Sequence, residues 1–70
     1  MKLLVNGENK VLHLGTKSRT MQTVIELLNF HPRLIVVEHN GKIQPPNTWE
    51  DQSVKDGDTL EIVTIVGGGS

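Results

Sequence analysis

Thr59-Leu60-Glu61-Ile62-Val63-Thr64-Ile65-Val66 is the longest strand-like run in the chain, and it passes without a break into Gly67-Gly68-Gly69-Ser70. Three successive glycines cannot pack a core and lose more backbone entropy on ordering than other residues, so their use lies in slimness and mobility. Extended over four residues, such a segment reaches roughly 13 Å, enough to carry a terminal carboxyl group from a compact body into another protein's active site. The plainer expectations for such an end are fraying or an engineered Gly-Gly-Gly-Ser linker. What precedes the run decides between them.

Working back from Thr59, Asp56-Gly57-Asp58 makes a tight turn, and Asn47 to Asp56 is a polar connection in which Trp49 and Val54 anchor onto the core. Leu34-Ile35-Val36-Val37-Glu38 is a β-branched strand that ends at the hairpin signal Asn40-Gly41, with Lys42-Ile43-Gln44 as a brief return strand stopped by Pro45-Pro46. Before it, Thr23-Val24-Ile25-Glu26 fits a capping box, with Thr20 able to cap one turn earlier. Val24, Leu27 and Leu28 form one apolar stripe, and Pro32 is expected to end the helix. At the start, Lys2 to Val5 is a short strand, Asn6-Gly7 signals a turn whose loop could instead run through Glu8-Asn9, and Val11, Leu12 and Leu14 resume a strand pattern. The order is strand, strand, helix, strand, short strand, strand. The economical arrangement is one mixed sheet of four to five strands with one helix packed across it, an α+β roll. Residues 1–66 are expected to form the domain and 67–70 a flexible tail.

Composition narrows the function. A chain of 70 residues supports one core, and with no cysteine it has neither a disulfide, a thiol nucleophile nor a thiolate metal site. Seven basic against eight acidic residues leave no footprint for a polyanion, and one Phe, one Trp and no Tyr give bases nothing to stack on, so nucleic acid is not an expected partner. The opening apolar run is too short for a signal peptide or a membrane span, so a cytoplasmic, membrane-free protein is expected. His13, His31 and His39 sit on different elements without a close ligand pair, and Asp56-Gly57-Asp58 lacks the other ligands of a calcium loop; no metal site is expected. No Ser-His-Asp spacing and no phosphate-binding glycine loop is present, so the chain is not expected to be an independent enzyme.

The chain resembles the ThiS-type sulfur carriers of thiamine biosynthesis, which have the ubiquitin-like β-grasp fold. The resemblance spans nearly the whole length and rests on Val5-Asn6-Gly7-Glu8, Thr23-Val24-Ile25-Glu26-Leu27-Leu28, Val37-Glu38-His39-Asn40-Gly41, Val54-Lys55-Asp56-Gly57-Asp58, and Glu61-Ile62-Val63 leading to Val66-Gly67-Gly68-Gly69. It implies a carrier cycle. The terminal glycine carboxylate is adenylated with ATP by a ThiF-like activating enzyme, converted to a thiocarboxylate by a persulfide donor, and presented to a ThiG-like thiazole synthase. No cofactor is expected to be bound, and the protein alone is expected to be a monomer. The sulfur-bearing end is expected at Gly68 or Gly69, within the tail Gly67 to Gly69, with Ile65 and Val66 binding partners at its root.

One feature of the sequence departs from the family pattern, which ends on glycine: Ser70 follows the three glycines. Proteolytic removal is the expected explanation, beside a tolerated natural residue or an engineered addition. Two rival functions are kept: a molybdopterin-synthase small subunit, which resembles this family in fold, tail and activation, and a β-grasp interaction module whose glycines are only a linker. The acidic residues Glu50, Asp51, Asp56, Asp58 and Glu61 are either a solvated face or a docking surface for basic partner residues.

Overall fold

The computed structural model describes residues 1–65. Their strands form one mixed sheet with a single α-helix across one face. The strands are β1 (Lys2–Val5), β2 (Glu8–Val11), β3 (Ile35–His39), β4 (Lys42–Ile43) and β5 (Thr59–Thr64), in spatial order β2-β1-β5-β3-β4. The last strand in sequence is therefore the central one, parallel to β1 and antiparallel to β3. The helix α1 spans Met21–Leu27.

Two Asn-Gly turns build the hairpins. Asn6 and Gly7 have φ of 51° and 81°, and Asn40 and Gly41 have 50° and 87°, the left-handed pair that a two-residue hairpin loop demands. Because the first loop holds only two residues, Val5 pairs with Glu8 and β2 begins at once with polar residues, earlier than the Val11 restart expected from hydrophobicity. β2 is an exposed edge strand, so it needs no apolar face, while Leu12 and Leu14 beyond it turn into the core.

Thr20, rather than Thr23, caps the helix. Its hydroxyl accepts from the Thr23 N–H at 3.4 Å, and Thr23 itself lies within the first turn, its side chain buried. The helix ends at Leu27 with Leu28 as its C-cap, and Asn29 just beyond turns left-handed with a φ of 63°, so the helix stops before Pro32. Pro32 instead opens a 3₁₀ turn, Pro32–Leu34, that feeds β3.

The core lies between helix and sheet. Met21, Val24 and Ile25 meet Leu3, Val5, Val37, Leu60 and Ile62, with Trp49 and Val54 closing the side as anticipated. Trp49 is 1% exposed, and its indole N–H donates to the Gln44 carbonyl at 2.8 Å, so burial leaves no unpaired donor.

Candidate functional site

The β3–β5 register places the residues at the end of the last strand. Ile35 pairs with Thr64, Val36 with Val63 and Glu38 with Glu61, and the Ile65 N–H still donates to the Leu34 carbonyl at 2.6 Å. Strand alternation sends Leu60 and Ile62 into the core, so Glu61, Val63 and Ile65 point to the face away from the helix. Val63 is 62% exposed and Ile65 48%. Neighbouring Val36 and the still more exposed Ile43, opposite Glu38, continue an apolar surface across three strands toward the point where the described chain ends. Exposed apolar side chains gathered on neighbouring strands, here with Glu38 and Glu61 between them, mark an interaction face more often than scattered ones do.

Ile65 thus stands at an accessible position beside that surface, rather than in the core. The other expected site residues, Val66, Gly67, Gly68 and Gly69, lie outside the described residues, as does Ser70. Sequence reasoning missed Val36, Glu38 and Ile43 as members of the face. The run Leu34 to Val37 is apolar throughout, so only pairing with β5 reveals which of its residues face outward.

A polar cluster secures the start of β5. Asp58 Oδ2 accepts from His39 Nε2 at 2.7 Å and from the Lys55 N–H at 2.9 Å. Burial alone would push the Asp58 carboxyl up, but the hydrogen bonds from His39, Lys55 and Asn40, with the charge attraction of His39, together outweigh it and hold the carboxyl below the usual range. Asp56 accepts from the Lys2 N–H at 2.7 Å, and this bond leads the influences that lower its carboxyl too, with Arg19 adding attraction. Asp56-Gly57-Asp58 is therefore a turn whose carboxylates staple β1 and β3 to the start of β5.

The three histidines stay apart in role. His39 is held by Asp58, His31 caps the Pro32 turn by accepting from the Arg33 N–H, and His13 is exposed after β2. Among the described residues no group of three His, Cys, Asp or Glu side chains could hold a metal ion. A groove of about 310 Å³ between the first hairpin and the end of the helix is lined by Val5, Leu27, Leu28 and Phe30 with the polar residues Asn6, Glu8 and Lys10. No helix among the described residues is long and apolar enough to cross a membrane.

A family model described as the ThiS family matches residues 3–69. The crystal structure of a thiamine biosynthesis protein (ThiS) from Geobacter metallireducens superposes with a TM-score of 0.79 at 30% identity, covering 99% of this chain and all of that one. Among relatives, a thiazole synthase of Paramagnetospirillum magneticum is 39% identical over the full 70 residues. The chain spans only 21% of that relative's length. The uncharacterized protein ycf40 of Trieres chinensis is 32% identical over 93% of this chain and 85% of its own length.

Proposed function

The chain belongs to the ThiS family, and from that membership we propose that it is a sulfur carrier of thiamine biosynthesis, a protein co-substrate rather than an enzyme. The observation that carries this reading is the family match running through residue 69, so that it takes in the glycines as well as the β-grasp body. The solved relative of the same size, a thiamine biosynthesis protein, supports the pathway. A thiazole synthase that contains a segment like this chain supports the final partner, since one polypeptide there combines the two.

In the proposed cycle, the carboxylate of Gly68 or Gly69 attacks the α-phosphorus of ATP in a ThiF-like activating enzyme and releases pyrophosphate. A carboxylate is a poor acyl donor until one oxygen becomes a leaving group, and joining it to AMP achieves that. The sulfur of a persulfide donor then attacks the acyl carbon and expels AMP. A thiol reduces the resulting acyl disulfide and leaves the thiocarboxylate, whose soft sulfur is handed to a ThiG-like thiazole synthase. ATP is consumed by the partner and is not held by this chain. The partner supplies the electrostatic stabilisation, and the carrier supplies reach and recognition. The cycle runs in the cytoplasm.

Val36, Ile43, Val63 and Ile65, with Val66 beyond, form the proposed docking face. Its position at the root of the tail lets one partner hold the body while the end enters a narrow channel. Glu38 and Glu61 in its midst suit a partner that brings a basic residue. Incubation with ATP, the activating enzyme and a persulfide donor, followed by intact mass measurement, tests the reading. Replacement of one terminal oxygen by sulfur is expected; an unchanged mass for chains ending at Gly68 and at Gly69 contradicts it.

A further inference from the structure

Asn6 lies where β1 would have continued, and its side chain runs alongside β5. Its Oδ1 accepts from the Ile62 N–H at 2.7 Å, its Nδ2 donates to the Ile62 carbonyl at 3.0 Å, and its own N–H donates to the Leu60 carbonyl at 2.9 Å. A carboxamide offers the same donor and acceptor as a peptide group, so this side chain stands in for one more residue of β1. The paired residues end at Val5 and Leu60, and the carboxamide carries the parallel ladder on to Ile62. Asn40 grips the other end of the same strand, its Oδ1 accepting from the Thr59 N–H and its N–H donating to the Thr59 carbonyl, both at 2.8 Å.

Past Ile62 the two edges of β5 differ. Backbone alternation directs the Thr64 peptide groups toward the β1 side, where β1 has already ended, while the β3 side stays paired as far as Ile65. Asn6 is thus the last group among the described residues to hold β5 on that side. A left-handed φ of 51° accounts for a turn-forming residue at position 6, and glycine would satisfy it equally. That angle does not account for a side chain bonded to both the N–H and the carbonyl of a residue 56 positions along the chain.

We propose that Asn6 is a positioning residue for the carrier: by clamping Ile62 it fixes the distal half of β5, and with it the direction in which Ile65 hands the chain on to the glycines. The role in sulfur transfer rests on the carrier reading above, whereas the clamp itself does not. Its effect is expected chiefly on turnover, because Val36 and Ile43 of the docking face lie on strands that Asn6 does not bond, and Val63 stays paired to Val36 on the opposite edge of β5.

The test compares full-length wild type with Asn6→Gly, which keeps the turn and removes the carboxamide, and Asn6→Asp, which keeps an acceptor for the Ile62 N–H but sets an oxygen against the Ile62 carbonyl. In amide exchange, Asn6→Gly is expected to speed exchange at Ile62 by roughly tenfold, the scale of losing two partly buried hydrogen bonds, with Met21 and Val24 unchanged. With the activating enzyme and ATP, kcat for adenylate formation is expected to fall several-fold at unchanged KM, with Asn6→Asp between the two. Wild-type exchange at Ile62 in Asn6→Gly, an equal loss of protection at Met21 and Val24, or a raised KM with full kcat overturns the proposal. If wild type itself forms no adenylate, the carrier reading fails and the sulfur-transfer role of Asn6 falls with it, while exchange at Ile62 still decides whether the clamp exists.

Discussion

Glu38 and Glu61 stand directly opposite one another on β3 and β5, both exposed on the face of the sheet away from the helix. Like charges so placed oppose sheet formation by about 0.2–1 kcal/mol. Glu61→Gln should therefore stabilise the isolated protein by a few tenths of a kcal/mol in urea denaturation. The same change should slow association with the activating enzyme, and rising salt should slow wild type more than the variant. Equal rates at low and high salt for both proteins would mean that these carboxylates do not meet a basic partner surface.

The slimness of the tail gives a second expectation. Gly68→Val adds a β-branched side chain where the end must pass through a partner's channel, and it forbids backbone angles open only to glycine. Thermal unfolding should match wild type, while AMP and pyrophosphate formation should be lost. Full adenylation of the variant would defeat the argument for glycine.

Helix capping offers a test of local structure. Thr20→Ala should cost about 1 kcal/mol, since Thr20 accepts from the helix amide of Thr23. Thr23→Ala is no control for the cap, because the Thr23 side chain is buried and its hydroxyl meets the Thr20 hydroxyl at 3.3 Å. Thr20→Asn, which keeps a capping oxygen, should stay near wild type in a denaturation series, and equal losses for Thr20→Ala and Thr20→Asn would contradict the cap.

Acid should loosen the start of β5. The carboxyls of Asp58 and Asp56 titrate lower in the folded protein than their ordinary value, so each contributes stability that is fully present above the unfolded value of about 3.9 and is lost as pH falls through the folded one. Asp58→Asn should be less stable than wild type at pH 6, and the difference should shrink below about pH 4. A difference that grows on acidification would have the sign wrong.

Much of this architecture was legible in the sequence because each turn carries its own chemistry. Asn6-Gly7 and Asn40-Gly41 supply left-handed angles and so announce both hairpins, and the two prolines after Gln44 close β4. Errors arose where hydrophobicity stood in for geometry. β2 is polar because it is an edge, so the apolar pattern resumed only after it; the helix ends at Leu27, with Asn29 turning left-handed just beyond, before Pro32 is reached. The candidate site was half visible. The place of Ile65 at the end of the last strand was readable, while the glycines lie outside the described residues; the proposed docking face needs Val36 beside Val63 and Ile43 beside Glu38, which only strand register provides. The Asn6 clamp was hidden for the same reason, since nothing local to Asn6 points to Ile62.

Choice of pathway follows from what restores growth. A strain lacking this protein should regain growth on supplied thiazole and should not regain it on molybdopterin. The reverse pattern would assign the sulfur to a pterin.

The central claim is that the carboxylate at the end of the glycines receives sulfur. Intact mass spectrometry of the protein, ending at Gly68 or at Gly69, after reaction with ATP, the activating enzyme and a persulfide donor tests it most directly. The account predicts a mass gain equal to exchange of one oxygen for sulfur, located on the C-terminal residue by fragmentation and absent without ATP. An unchanged terminus, in the presence of an enzyme shown to adenylate another carrier, would contradict it.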